Sequence, residues 1–503
     1  MGTSPASWNP NASGIVLPSA ALRAGKSSLN WWVLLICLAG LIVVLADGFT
    51  RPLTLENEET AIEPLTYEPY YGAFVFAFCV FPLTLGYARS ARASWEEGLF
   101  LWFILCTVAY TKDFSYMGIP GTKLFVTDIV LATLLASQYR SLRKGLRSLG
   151  TLPVLAVAAF VLSGVISAAR GFTGGQEKAL VFRDSAIFVY SSFLLLGFLL
   201  ITSWAGVRRT FLFFTLGAVF SCLNAAAWFV MQPGQRRYLG YGIYLVAAVV
   251  GWFVGRANGT LKRSSWFLPG ILSVGILLFN ARAAYAALIG ALGVVLLVGA
   301  HLQERHAIMA RIKLLFKLAA LLVVVLAVVL QTRAGSSFIE RSVDEATAAA
   351  LDPSGDPTSQ FRFLAWAEAI TRFSQSPVVG EGYGVPFTFD IYNDDPRPHD
   401  TYLTILYKMG IVGIVPFGVL LATFLLRGWR TLFVFRDRKE TAWLYVLLLG
   451  VLAQCLNGIF NYVVESPFMA SMFWISIGLG FRMIFMLRQT AVDAVPLPNR
   501  LAA

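Results

Sequence analysis

The sequence predicts an all-α polytopic membrane protein, on three observations. First, 57% of its 503 residues are hydrophobic and only 14% are charged, with a mean hydropathy of +0.68. Soluble domains are roughly 45–50% apolar and about 25% charged, so this apolar excess has no globular core to hide in. Second, the apolar residues gather in runs close to the roughly 20 needed to cross a bilayer. Third, the basic residues fall mainly in short loops between those runs, the pattern of positive-inside topology. The spans are helices because a helix satisfies its own backbone bonds in lipid. The net charge of +12 therefore marks orientation and not nucleic-acid binding.

About fourteen candidate spans are present, with cores near 31–47, 71–88, 99–110, 122–138, 151–169, 185–202, 210–230, 238–254, 265–279, 283–300, 314–330, 401–426, 441–462 and 466–487. The third is short and the fourth weak, so a count of twelve follows if those two form a re-entrant pair. With the N-terminus inside, the inner loops hold Arg89 and Arg92; Arg140, Arg143, Lys144 and Arg147; Arg208 and Arg209; Arg256, Lys262 and Arg263; Arg305, Arg311 and Lys313; and Arg427, Arg430, Arg436, Arg438 and Lys439. The first outer loop is acidic, with Glu56, Glu58, Glu59, Glu63 and Glu68. Both termini are then cytoplasmic. Arg23 and Lys26 before the first apolar run resemble a signal peptide, but no small-x-small cleavage site follows, so that run is expected to remain as a span. The five cysteines all lie in apolar runs without metal-ligand spacing and are expected to form no disulfide.

The expected division is an N-terminal tail at 1–30, transmembrane helices over 31–330, an outer loop over 331–400, further spans over 401–487, and a tail at 488–503. The outer loop is too long for a plain connector. Ser342 to Leu351 reads as a short helix ended by Asp352-Pro353. Thr358 to Ser374 reads as an amphipathic helix, with Phe361, Leu364, Ala365, Ala369 and Phe373 near helical spacing. Gly380, Gly382 and Gly384 then give a flexible turn.

Chemistry concentrates at Pro396-Arg397-Pro398-His399-Asp400-Thr401-Tyr402-Leu403, where this loop meets an apolar helix. Asp400 is a plausible N-cap, which sets His399 at a helix mouth that favours a bound anion. Arg183, Arg282, His399 and Glu465 all come out at the outer ends of spans. Arg282 opens a span after Asn280-Ala281, where a cation opposes the helix dipole and a bound anion would offset the cost; the alternative is a snorkelling interfacial Arg. Arg183 is similar, although Asp184 can neutralise it. Arg236 and Arg237 also fall outside. Several outer arginines together fit a diphosphate, because the guanidinium fork matches phosphate oxygens. Glu465, before Ser466-Pro467, reads either as a helix-start acid or as a catalytic acid or base. His301 and His306 read as solvated inner-loop residues. Asp394, Asp395, His399 and Asp400 form only a weak metal pattern, and no metal or cofactor is assigned. No nucleotide loop of the Gly-rich Lys-Ser/Thr kind is present.

Pro398-His399-Asp400-Thr401-Tyr402-Leu403 followed by Gly410-Ile411-Val412-Gly413 resembles the signature of the O-antigen ligase and polymerase superfamily. So do Phe361-Arg362-Phe363-Leu364-Ala365-Trp366, the turn Ser376-Pro377-Val378-Val379-Gly380-Glu381-Gly382-Tyr383-Gly384, and Asn280-Ala281-Arg282-Ala283. The close resemblance covers roughly residues 265–430. Asp400 stands where the family mostly has Asn, and Ala281 where it has a small hydroxyl residue. The resemblance implies a GT-C-like architecture of 12–14 spans with one large helical periplasmic loop, in the bacterial inner membrane. It implies a metal-independent, inverting glycosyltransferase that moves a glycan from undecaprenyl diphosphate to an acceptor sugar hydroxyl, lipid A-core for a ligase or a lipid-linked repeat for a polymerase. On that analogy Arg282, Arg183 and Arg362 hold the diphosphate, His399 acts as general base on the acceptor hydroxyl or orients it, and Asp400, Tyr402, Trp366 and Glu465 support them. Membrane lipids and polysaccharide-assembly proteins are the further partners. The rival classes are a flippase for lipid-linked glycans, which would place charges at mid-membrane in two mirrored halves, and a non-catalytic scaffold.

Overall fold

The computed structural model describes residues 31–50, 71–118, 124–231, 242–257, 267–279, 282–302, 313, 316, 320, 357–389, 397–436 and 438–493. The expected span at 314–330 (apart from Phe316 and Ala320), the short loop helix at 342–351, the acidic segment around Glu56 to Glu68, Arg236, Arg237, His306, Asp394, Asp395 and the 1–30 tail lie outside the described residues.

The chain is an all-α, multi-pass membrane protein. Its helices are α1 (Trp31–Thr50), α2 (Tyr71–Ser90), α3 (Trp95–Ser115), α4 (Val126–Ser137), α5 (Tyr139–Leu149), α6 (Thr151–Thr173), α7 (Lys178–Val189), α8 (Phe193–Leu199), α9 (Trp204–Met231), α10 (Ile243–Ala257), α11 (Phe267–Phe279) and α12 (Arg282–Leu302), then α13 (Pro357–Gln375), α14 (Thr401–Val434), α15 (Thr441–Asn457) and α16 (Pro467–Asp493). Among the described residues seven stretches are long and apolar enough to cross a membrane: α1, α2, α6, α7 with α8, α9, α14 and α16. Four more helices are apolar but shorter. Lipid-facing character shows in side chains left outside the core, such as Phe74, Phe78, Leu155, Leu162 and Leu426, which a soluble fold would cover.

The chain differs from the expected elements in four places. The third span runs over the full 21 residues of α3, but it carries Glu96, Glu97, Lys112 and Asp113 and is interrupted at Thr111 by a left-handed backbone (φ 41°). Helix α4, at 12 residues, rises only about 18 Å and is too short to cross alone. Helix α5 is an unexpected element: Arg140, Arg143, Lys144 and Arg147 crowd a polar face, while Gly145 and Leu149 are buried against the bundle. The span expected at 401–426 is two helices joined at Gly410, whose φ of 65° and ψ of −163° are not helical.

The break in α14 positions the site. A regular helix would bond the N–H groups of Ile411 and Val412 to the carbonyls of Tyr407 and Lys408. Instead Ile411 N–H donates to the Pro377 carbonyl (2.9 Å) and Val412 N–H to that of Val378 (3.1 Å). The freed Tyr407 and Lys408 carbonyls accept from Glu381 N–H (2.7 Å) and Gly382 N–H (3.1 Å). The loop turn thus replaces the missing rungs of the helix, and these four backbone groups are all paired. The turn is also bonded to α6: Arg170 donates to the Gly380 carbonyl (2.6 Å), and Tyr383 N–H donates to the Ser167 carbonyl (3.1 Å). Helix α6 packs along α14, and α8 along α16, where a Cβ at Gly478 would collide with the Leu194 carbonyl. Such close backbone approach is the usual way helices pair in lipid.

Candidate functional site

Three segments converge beside the break: the end of the loop (397–400), the first half of α14, and the turn between α15 and α16 that carries Glu465. Trp366 of α13 donates its indole N–H to the Pro398 carbonyl (3.1 Å) and so ties the loop helix to the His399 turn. Asp400 caps α14, its Oδ1 accepting from Leu403 N–H (2.8 Å). Thr401 staples this corner to the next turn: its N–H donates to the Gly458 carbonyl (2.8 Å), and its hydroxyl accepts from Val463 N–H (2.6 Å). Tyr402 donates its hydroxyl to the Cys455 carbonyl (2.8 Å) and holds α14 against α15.

Asp400→Asn keeps the capping oxygen and is expected to leave stability within about 0.5 kcal/mol, whereas Asp400→Ala should cost about 1 kcal/mol. Thermal unfolding of the two variants in detergent checks this; equal losses would show that the carboxylate is not acting as a cap.

The pocket at this corner is lined by Arg183, Asp184, Arg397, Thr404, Lys408 and Glu465, with Ile187, Phe387 and Tyr407. Its charges are unequally satisfied. Lys408, a cation inside an apolar span, is 2% exposed and fully engaged: it reaches Asp184 (3.1 Å), Glu381 (3.4 Å) and the Val385 carbonyl (2.8 Å). Asp184 also pairs with Arg183 (3.2 Å) and accepts from Gly384 N–H (3.0 Å). Glu381 in turn meets Arg372 (3.4 Å), which bonds Glu368 (2.6 Å). This chain of ion pairs fastens α7, the glycine turn and α13 to α14. The neutralisation of Arg183 by Asp184 is present, but Asp184 serves two cations at once.

Arg397 is different. Its guanidinium lies over the Tyr462 ring at 5.3 Å, and it forms no hydrogen bond or ion pair with the described residues. Glu465 is its opposite: 5% exposed, with neither carboxyl oxygen hydrogen-bonded among the described residues. Burial pushes its carboxyl up to about 7, against the opposing pull of Arg397 and Thr404. Burial likewise raises Asp400, to about 6.

His399 is set apart from the pocket lining. Its backbone is left-handed (φ 51°), and its ring packs on Phe361 (5.6 Å) and Tyr462 (5.2 Å). Burial, then Arg362 and Arg397, press the imidazole down to about 4, so it is neutral at ordinary pH. Arg362 sits over Phe460 at 5.9 Å, near His399 and off the pocket wall. The backbone of Arg282 opens α12 as expected, but its side chain lies outside the described residues. Phe279, just before it, shares a small cavity with Phe468, just after Glu465.

Residues 267–418 match the family model described as O-antigen ligase. This segment is similar to the O-antigen ligases. The match supports the O-antigen ligase and polymerase superfamily and falls within the segment where the motifs cluster. No curated protein matches the chain. The matched segment runs from α11 through the break in α14, and it contains Arg282, Arg362, Trp366, Arg397, His399, Asp400, Tyr402 and Lys408. Arg183 and Glu465 reach the pocket from outside the matched segment. Arg397 and Lys408 are the charged pocket residues that motif reading passed over. Lys408 had a usable signal, since a charge inside an apolar span is functional or structural by default.

Proposed function

We propose that this O-antigen ligase/polymerase-type membrane enzyme transfers a glycan from undecaprenyl diphosphate to an acceptor sugar hydroxyl on the periplasmic face of the bacterial inner membrane. The observation that carries the reading is Arg397, a guanidinium without an ionic partner among the described residues, on the wall of a buried pocket that also holds Arg183 and Glu465. A leaving diphosphate is a dianion or more, and a free guanidinium fork matches its oxygens in two-point contact. In this reading Arg397 and Arg183 hold the diphosphate, Arg282 and Arg362 are further candidates to bind it, and no step is assigned to a metal. The acceptor oxygen attacks the anomeric carbon, the bond from that carbon to the diphosphate breaks, and the diphosphate leaves with the electron pair. A single displacement inverts the anomeric configuration. Fixed cations stabilise charge as it develops on the leaving group, so no nucleotide is needed.

The same reading places both termini in the cytoplasm, the 331–400 segment in the periplasm, and His399, Asp400, Tyr402 and Trp366 as the frame of the site. Deleting the protein from its host tests it. The expected result is loss of surface or secreted polysaccharide with lipid-linked glycan still made. Single repeats still attached to their acceptor identify a polymerase, and full-length chains stranded on the carrier identify a ligase. An unchanged glycan profile overturns the proposal.

A further inference from the structure

We infer that Glu465, and not His399, takes the proton from the attacking acceptor hydroxyl. The inference rests on the transferase reading above and names the group that completes its chemistry. Three observations carry it. Glu465 lines the pocket that holds Arg397 and Arg183, whereas His399 does not. Both Glu465 oxygens are buried and accept no hydrogen bond of ordinary geometry among the described residues: the Thr404 hydroxyl is near enough to act on the carboxyl but donates to the Asp400 carbonyl (2.8 Å), and the hydroxyls of Ser466 and Tyr383 are unbonded as well. A buried carboxylate left without partners costs several kcal/mol, which a purely structural residue would avoid. Lastly, Arg397 is close enough to influence Glu465 electrostatically, yet no ion pair joins them. A structural pair would close that gap; a site must keep it open for the oxygen that passes between base and leaving group.

The proton balance is simple. The acceptor O–H bond breaks as its oxygen bonds to the anomeric carbon, and the proton goes to a Glu465 oxygen. The lipid diphosphate leaves as an anion against Arg397 and Arg183. The charged and titratable groups facing Glu465 are Arg397 from the loop, Tyr383 from the glycine turn, Asp184 and Arg183 from α7, and Asp400, Tyr407 and Lys408 at and after the start of α14. Bound diphosphate makes both Glu465 and His399 stronger bases, so its charge does not decide between them; position does. A carboxyl raised to about 7 also suits a general base at neutral pH, while an imidazole at about 4 is a weak one. His399, boxed by Phe361 and Tyr462, is then a positioning residue for the loop and the acceptor.

The test uses full-length protein in vesicles for binding, with undecaprenyl diphosphate as the probe, and glycan transfer in host membranes for turnover. Glu465→Gln should cut turnover by at least about 10²-fold and leave undecaprenyl diphosphate binding within about twofold. The acidic limb of the wild-type rate profile, expected near pH 7, should persist in His399→Gln and vanish in whatever activity Glu465→Gln retains. Glu465→Asp should recover part of the rate. Folding is controlled by melting curves. The fold raises Glu465 from 4.5 to about 7, so the native state keeps a proton that the unfolded chain loses, and wild-type stability falls as pH rises through that window. Glu465→Gln should therefore melt no lower than wild type at pH 8. Near-wild-type turnover in Glu465→Gln, or a limb that follows His399 instead, overturns the inference. If wild-type protein fails to bind undecaprenyl diphosphate, the donor assignment itself is wrong, whichever group titrates.

Discussion

Arg397→Ala is expected to lower turnover by at least about 10²-fold and to weaken undecaprenyl diphosphate binding, with little loss of thermal stability. The separation of the two effects follows from the pocket's charge arrangement. Arg397 has no ion pair or hydrogen bond with the described residues and stacks on the Tyr462 ring, so its removal breaks no buried ion pair, and Glu465, raised to about 7, can stay protonated without it. Two charge-assisted bonds to a diphosphate contribute about 1.5–3 kcal/mol each, and 2.7 kcal/mol already corresponds to about 10²-fold. Arg397→Lys should recover little, because a point charge cannot reproduce the fork. Lys408→Ala makes the contrast. It leaves Asp184 and Glu381 buried without their shared cation, and breaking a buried pair costs about 3–5 kcal/mol, so that variant should lose stability first and activity as a consequence. Binding measured by native mass spectrometry, set beside melting curves, separates the two. Should Arg397→Ala melt as low as Lys408→Ala while still binding the lipid diphosphate, Arg397 belongs to the scaffold and the site has been misread.

The helices were legible because their physics is local. The amphipathic spacing placed a helix at 358–374, and α13 runs Pro357–Gln375. The Asp400 cap followed from a short acidic side chain just before an apolar run, and its bond to Leu403 N–H is present. The convergence of Arg183 and Glu465 was only partly legible: their shared placement at span ends put them on one side of the membrane, but nothing in their spacing brought α7 to the start of α16. Lys408 and Arg397 were missed for different reasons. Lys408 was hidden in a run judged by its average hydropathy. Arg397 stood beside a histidine that drew the chemical argument to itself. The glycine turn was misjudged in kind. Three glycines in five residues read as flexibility, whereas Gly380, Gly382 and Gly384 all have positive φ and are held by bonds to α6, α7 and α14. Glycine tolerates such backbone without a steric penalty; sequence alone does not say whether that freedom is used for motion or for a fixed, unusual shape.

The fixed shape predicts the second large effect. Gly410→Ala should destabilise the protein by at least about 3 kcal/mol and abolish activity, although residue 410 touches no substrate in the proposed mechanism. At φ 65° and ψ −163° the backbone is in a region open essentially to glycine, where a side chain costs about 1–3 kcal/mol. A Cβ there would also collide with the Val378 carbonyl and approach the Gly380 nitrogen to 2.6 Å. Both obstacles are backbone and cannot rotate away. Relief requires the turn to leave the helix, which breaks the four cross-bonds at Tyr407, Lys408, Ile411 and Val412. The same movement pulls Lys408 from Asp184 and Glu381 and opens the pocket wall, so stability and activity should fall together. Gly380→Ala should behave alike, since its Cβ would meet the Lys408 carbonyl and the Met409 nitrogen at 2.5 Å. Gly418→Ala, further along the same helix with nothing near its Cβ, should gain up to about 1 kcal/mol through better helix propensity. Melting temperatures of the three variants give the comparison. If Gly410→Ala melts with Gly418→Ala, the break in α14 is not a fixed part of the fold, and the pocket built on it loses its foundation.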